Sequence, residues 1–119
     1  MVKLLRWCAR VAGILALIFG LLIGRVSFDW LPRAHMTLGL IVVAALALIA
    51  IAGFFARLRP ILPLIALLWA GVTVYIGLAQ YRLMTGDAHW IVELVHGLLG
   101  IGAIGLAEAT GARISRQRA

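Results

Sequence analysis

The chain has 119 residues, of which 65% are hydrophobic and 13% are charged, with a mean hydropathy of +1.12 and a formal net charge of +7. Soluble domains contain about 45–50% apolar and about 25% charged residues, so a chain this short needs lipid to cover its apolar surface. The composition excludes a disordered chain, and a single cysteine, Cys8, excludes an internal disulfide. The basic residues form short clusters between apolar runs rather than one continuous face, which favours a membrane protein and disfavours nucleic-acid binding.

Four apolar segments follow one another, each bounded by charged residues. The sequence predicts membrane spans over 7–26, 33–56, 60–81 and 88–109. A helix needs about 20 apolar residues to cross the hydrocarbon core, and the first segment reaches that length only with its flanks. A signal peptide is the alternative interpretation of that segment. We favour a retained helix because no A-x-A cleavage site is present.

The connections between these segments are short, so consecutive helices are expected to be antiparallel neighbours. The predicted fold is therefore all-α: a single domain, 1–119, with four transmembrane helices in an up-down-up-down bundle and a weak two-hairpin internal repeat. We therefore expect no soluble catalytic domain.

The basic residues predict the orientation of this bundle. Eight of them fall on the side of the N-terminus and three on the other side, which matches the positive-inside rule. We therefore expect an integral protein of the bacterial inner membrane with both termini in the cytoplasm, where the basic tail 109–119 contacts lipid headgroups. The eight are Lys3, Arg6, Arg10, Arg57, Arg59, Arg113, Arg116 and Arg118, and the three are Arg25, Arg33 and Arg82.

A short repeat relates the second and fourth segments. His35 and His96 each begin the pattern H-x-x-L-G-[L/I], so that Gly39 and Gly100 follow them by one helical turn. A tryptophan precedes each histidine by five or six residues, and tryptophan tends to lie at headgroup level. The two histidines are therefore predicted at nearly the same depth, on helices that run in the same direction.

Two interior histidines at one depth predict a haem site. An imidazole is costly in lipid unless it faces the bundle interior and finds a partner, and haem iron accepts axial histidine readily. The glycine one turn beyond each histidine removes the side chain that would collide with a porphyrin. We predict one haem b per chain, with His35 and His96 as metal ligands and with Gly39 and Gly100 beside the ring.

The bases near the same end of the bundle are candidates for holding the haem propionates. Arg33 and Arg82 are predicted to pair with these anionic groups, and Arg33 lies only two residues before His35. In the alternative interpretation, the arginines are ordinary loop charges. The histidines likewise have an alternative, in which they hydrogen-bond a backbone carbonyl or a polar side chain and only hold helices together.

Glu93 is the acid that bears most on function. It lies one turn before His96 and four residues after His89, on a helix face that we predict all three share. A carboxylate within a span is a functional candidate, here as a group that orients a histidine, carries protons or acts as a general base. His89 itself is expected in the headgroup layer. A di-iron centre is disfavoured because the chain has only one E-x-x-H element.

In layout, residues 1–112 resemble half of a heme A synthase, through Glu93-x-x-His96, His35 and the spacing between them. The resemblance implies a four-helix half-bundle with histidines on its second and fourth helices, and it assigns the family's glutamate before a haem-facing histidine to Glu93. The family carries that element on its second helix, whereas this chain carries it on the fourth. The layout is also similar to small four-helix b-type cytochromes that pass electrons at the outer face of a membrane.

These patterns predict a membrane b-type haem protein that transfers electrons, as a subunit or partner of a larger membrane complex or as a homodimer. The first alternative is a haem-free accessory subunit. The second is a catalytic haem protein of the heme A synthase type with Glu93 as its catalytic group. A quinone beside Glu93 and Gln80 is a further candidate ligand. Only the catalytic interpretation requires the Glu93 carboxylate.

Overall fold

Residues 1–118 are described by a computed structural model, and over these residues the chain forms four long helices and one 3-10 turn, Gln80–Arg82. The long helices are α1, Val2–Leu22; α2, Leu31–Phe55; α3, Ile61–Ala79; and α4, His89–Gln117. All four are long and apolar enough to cross a membrane. The predicted all-α bundle of four such helices is confirmed.

The first and last helices extend beyond the apolar segments from which they were predicted. α1 begins at Val2, within the basic N-terminal cluster and before the predicted start at residue 7, but it ends at Leu22, short of the predicted end at residue 26. Its 21 residues cover about 31 Å, enough for the hydrocarbon core. α4 continues past the apolar segment to Gln117, so the described part of the basic tail is helical almost to its end. Charged residues end an apolar run without ending the helix, because arginine and glutamate are good helix formers.

The turn between α2 and α3 closes with a Schellman motif. Arg57 adopts a left-handed backbone conformation, with a φ of 55°. The N–H of Leu58 donates to the carbonyl of Gly53 at 3.0 Å, and the N–H of Arg57 donates to that of Phe54 at 3.0 Å. Pro60 then caps α3, where its missing N–H costs little. This short turn brings the end of α2 and the start of α3 together at one end of the bundle.

Small residues form the centre of the bundle. Ala50, Ala66, Ala103 and Ala107 are fully buried together with a few large side chains such as Leu46, whereas most large apolar side chains, such as Leu68 at 70% exposure, lie on the outer surface. Membrane helices pack in this way because small side chains let backbones approach closely and large apolar ones are at no disadvantage in lipid. α2 and α4 contact each other and each contacts both α1 and α3, so residues of α2 and α4 meet in the middle.

Candidate functional site

His35 of α2 and His96 of α4 lie next to each other in the interior of the bundle. Their ring centroids are 6.0 Å apart, and the ring planes are inclined by 72°. Both side chains are partly buried. Because α2 and α4 run in the same direction and contact each other, residues at matching depth on the two helices become neighbours.

Each histidine ring rests on a glycine of the preceding helix. A Cβ atom added at Gly20 of α1 would lie 3.0 Å from Cε1 of His35, and one added at Gly77 of α3 would lie 2.8 Å from Cε1 of His96. The hairpins α1–α2 and α3–α4 therefore repeat the same contact, with glycine on the first helix and histidine on the second. The internal repeat seen in the sequence extends to these two glycines, which the sequence analysis did not single out as histidine contacts.

The two rings differ in their hydrogen bonds. Nδ1 of His35 lies 2.8 Å from the carbonyl oxygen of Ala16. Because a carbonyl only accepts, Nδ1 must donate, and Nε2 is left with its lone pair. Metal-bound histidines are commonly oriented by such a bond from the second ring nitrogen to a carbonyl. Nδ1 of His96 is buried and has no hydrogen-bond partner among the described residues. An unpaired buried polar atom costs about 1–3 kcal/mol, so this nitrogen favours a ligand or a proton partner.

A largely apolar pocket of about 250 Å³ opens beside the histidine pair, between α2 and α3. Both histidines line it, and Gly39 lines it as well, with no atom within 4 Å of the position that a Cβ would take there. The polar side chains in its wall are those of Arg33, Thr73, Gln80 and Tyr81. The pocket therefore combines an apolar wall with a few convergent polar groups, which is typical of ligand sites.

The remaining residues predicted for the haem site divide into two groups. Arg33 and Gly39 line the pocket together with the histidine pair. Gly100 faces α1 instead, where an added Cβ would lie 3.7 Å from Cδ2 of Leu17. Arg82 belongs to the exposed 3-10 turn and does not line the pocket. The glycine one turn beyond each histidine thus has a different environment in the two hairpins.

Glu93 is paired with His89 rather than with His96. Its carboxylate lies 3.9 Å from Nε2 of His89, and its side chain is 66% exposed. Residues three apart on a helix differ by about 60° in direction at 3.6 residues per turn, so Glu93 can face outward while His96 faces inward. The Glu93–His89 pair lies at the start of α4, on the outer surface of the bundle.

Fold and site together define a class: a four-helix bundle of membrane-spanning length with two paired histidines in its interior. Comparisons of the chain with protein-family models, with curated proteins and with solved structures give no match. What the pair binds is therefore inferred from its own chemistry.

Proposed function

We propose that this protein is an integral membrane b-type haem protein that transfers electrons, with His35 and His96 as the axial ligands of one iron. The observation that carries the proposal is the 6.0 Å separation of the two ring centroids. Two imidazoles that held one metal from opposite sides, at about 2.0–2.1 Å per bond, would have centroids about 6.3–6.5 Å apart. The observed separation is within about 0.5 Å of that value, which supports the proposal.

The number of ligands favours haem over a simple metal ion. Among residues 1–118, no group of three or more His, Cys, Asp or Glu side chains is placed to hold a metal ion. Structural zinc sites use four protein ligands and catalytic ones three. A porphyrin supplies four nitrogens itself and leaves two axial positions, which is the number of histidines that His35 and His96 offer.

The chain's own residues have distinct roles in this proposal. The carbonyl of Ala16 holds the His35 ring with Nε2 free to bind, and Gly39 leaves space beside the ring. Arg33 lies in the pocket wall and would pair with a propionate. A bound haem would supply a one-electron couple between ferrous and ferric iron. The pocket, at about 250 Å³, is smaller than the roughly 300–1,000 Å³ of typical ligand sites, so we expect side chains of its wall between α2 and α3 to be displaced on binding.

The surroundings of the site determine what kind of partner we propose. The three connections, 23–30, 56–60 and 80–88, are short and offer no docking domain for a soluble electron carrier. We therefore propose that donor and acceptor belong to a larger membrane complex, in a bacterial inner membrane with both termini cytoplasmic. A quinone is a further candidate, supported by Gln80 in the pocket wall, whereas Glu93 does not line that pocket.

A haem-free accessory subunit is the second candidate, and one observation favours it. Each histidine ring already packs against a glycine of the neighbouring helix, and His35 already has a backbone partner. The histidines could serve only to hold the two hairpins together, as polar side chains do in other membrane bundles. The catalytic alternative receives no such support, because the Glu93 carboxylate is exposed and paired with His89.

Absorption spectroscopy separates the two candidates. The protein is purified in detergent, and a reduced-minus-oxidised spectrum is recorded together with a pyridine haemochrome assay. We expect a sharp α-band and one haem per chain, both lost in His35→Ala and in His96→Ala. His89→Ala is the matched control, since His89 lies apart from the pair, and it should keep the full spectrum.

Circular dichroism and size-exclusion chromatography establish that each variant is folded. A colourless wild-type protein with full helicity would refute the haem proposal and leave the accessory subunit. Retention of the spectrum in either alanine variant would show that the corresponding histidine is not a ligand.

A further inference from the structure

A second pocket, of about 500 Å³, opens at the end of the bundle opposite to the histidine pair. It lies between the α2–α3 turn and the last turns of α4. Three arginines and three apolar side chains form most of its wall: Arg59, Arg113, Arg116, Leu58, Ile61 and Leu62. None of the residues assigned to the proposed haem site lines it, so its function is independent of that proposal.

The positive charge of this pocket is not neutralised by acidic side chains of the described residues. Glu108 is the acid nearest in sequence to the arginines of α4, but its two carboxylate oxygens bind Arg6 and Arg10 of α1 at 2.7 and 2.8 Å. The other three acids, Asp29, Asp87 and Glu93, belong to the opposite end of the bundle. Among the residues that the structure describes, three guanidinium groups thus share one pocket wall without a carboxylate side chain among them.

Helix α3 adds to the attraction for anions. It begins at Ile61, in the pocket wall, and a helix N-terminus carries a partial positive charge. Pro60 and Pro63 have no N–H, and the N–H of Leu62 donates to the carbonyl of Arg59 at 3.3 Å, so α3 contributes its dipole rather than a set of free donors. α4 ends at Gln117 beside the same pocket, and its C-terminal dipole has the opposite sign. Arg116, in the last turn of α4, offsets that partial negative charge.

The apolar surroundings indicate which kind of anion fits. Leu58 and Leu62 line the pocket next to the arginines, and large apolar side chains extend from it along the outer surface, with Phe55 83% and Ile61 62% exposed. A ligand that matches this surface combines a phosphate group with long hydrocarbon chains. Arginine binds phosphate through paired N–H groups, and basic pockets between helices at the cytoplasmic side are suited to anionic lipid headgroups.

We propose that this pocket binds the phosphate headgroup of an anionic phospholipid, with Arg59, Arg113 and Arg116 as its ligands and the acyl chains against the start of α3. The lipid lies in the membrane leaflet at the basic end of the bundle. Its binding would join the α2–α3 turn to the end of α4.

Native mass spectrometry tests the proposal on the whole protein, delipidated in detergent and then mixed with phosphatidylglycerol or phosphatidylcholine at equal concentration. We expect one tightly retained phosphatidylglycerol per chain and no retained phosphatidylcholine. Arg113→Gln/Arg116→Gln should weaken retention about twenty-five-fold, because each arginine near a lipid headgroup contributes roughly fivefold. Arg57→Gln/Arg118→Gln removes the same charge from the same end without touching the pocket wall. It should weaken retention clearly less than Arg113→Gln/Arg116→Gln, because only the pocket arginines would hydrogen-bond the phosphate.

Three outcomes would overturn the proposal. Equal loss in both double variants would show a diffuse surface attraction. Equal retention of the two lipids by the wild-type protein would show no headgroup recognition. Displacement of phosphatidylglycerol by millimolar inorganic phosphate would indicate a site for a free anion.

A further variant, Arg113→Lys/Arg116→Lys, controls for misfolding as the cause of lipid loss. It keeps the positive charge at both positions and should therefore retain most of the lipid.

Discussion

At the scale of single residues, two glycine–histidine contacts distinguish the interior of this bundle. Gly20 and Gly77 are the surfaces against which His35 and His96 lie. A larger residue at either position would push the histidine ring away from the other histidine, because the interior of a packed protein has little free volume. These glycines thus determine where the two rings meet, although neither contributes a polar group.

Substitution of Gly77 tests this role. A Cβ there would lie 2.8 Å from Cε1 of His96, whereas one at Gly71 on the same helix would meet nothing within 4 Å. Both substitutions, Gly77→Ala and Gly71→Ala, raise helix propensity by the same amount. The difference in stability between the two variants therefore reports the contact of residue 77 with His96. We expect Gly77→Ala to be less stable than Gly71→Ala by about 1–3 kcal/mol, the usual cost of overpacking. Unfolding in mixed detergent and SDS micelles, followed by circular dichroism, measures the difference, and equal stabilities would contradict the contact.

At the scale of helices, α1 is held to α4 by a charged cluster near the basic end. Nε and Nη2 of Arg6 donate to Oε2 of Glu108 at 3.1 and 2.7 Å, and Nη2 of Arg10 donates to Oε1 at 2.8 Å. Gly111 makes room for the Arg6 side chain, since a Cβ there would lie 2.5 Å from Cδ of Arg6. The cluster joins the N-terminal helix to the C-terminal one and so closes the bundle.

Removal of the Glu108 charge should weaken this junction. The side chains of Arg6 and Glu108 are 24% and 26% exposed, so this ion pair is intermediate between a surface pair and a buried one. Surface pairs contribute up to about 1 kcal/mol to stability, and breaking a buried pair costs about 3–5 kcal/mol. We expect Glu108→Gln to lower the free energy of unfolding by about 1–2 kcal/mol, measured in the same unfolding assay.

Glu93→Gln provides the control for that substitution. Its carboxylate is 66% exposed and lies 3.9 Å from His89, so its removal should change stability by less than about 0.5 kcal/mol. Equal effects of the two substitutions would mean that the cluster around Glu108 contributes nothing to the junction.

At the scale of the whole molecule, the two ends of the bundle differ in charge and in the sites they carry. The antiparallel helices bring eight basic residues to the end that contains the termini and three to the other end, where the histidine pair lies one to two turns inside α2 and α4. The charge asymmetry predicts insertion with the histidine end facing away from the cytoplasm. The proposed electron transfer through the pair would then take place near the outer leaflet.

Cysteine labelling tests this orientation. In a Cys8→Ser background, Ser27→Cys places a thiol in the connection between α1 and α2, and Gln117→Cys places one at the end of α4. We expect a membrane-impermeant maleimide to label the Ser27→Cys protein on intact bacterial spheroplasts and the Gln117→Cys protein only after permeabilisation. The opposite pattern would reverse the orientation, and labelling of both without permeabilisation would contradict a chain that spans the membrane with both termini inside.

Some features of the histidine site could be predicted from the sequence, and others could not. The depth of His35 and His96 follows from their distance to the helix ends. Once the second and fourth helices were predicted to run in parallel, the proximity of the two histidines was predictable as well. The direction of Gly100, which faces Leu17 of α1, was not. Nor was the pairing of Glu93 with His89. Both depend on the rotation of α4 about its own axis, and apolar residues on all sides of that helix leave no amphipathic pattern from which to read it.

By itself, the sequence determined the number of helices, their antiparallel order and the end at which the basic charges collect, because these depend on the length of apolar runs and on the position of charges along the chain. Only the tertiary structure decided which faces of the helices meet. The contacts of His35 with Gly20 and of His96 with Gly77, and the arginine pocket beside the α2–α3 turn, join residues far apart in the chain. In a membrane, close packing of small residues rather than burial of apolar ones selects those faces, and packing depends on all four helices at once.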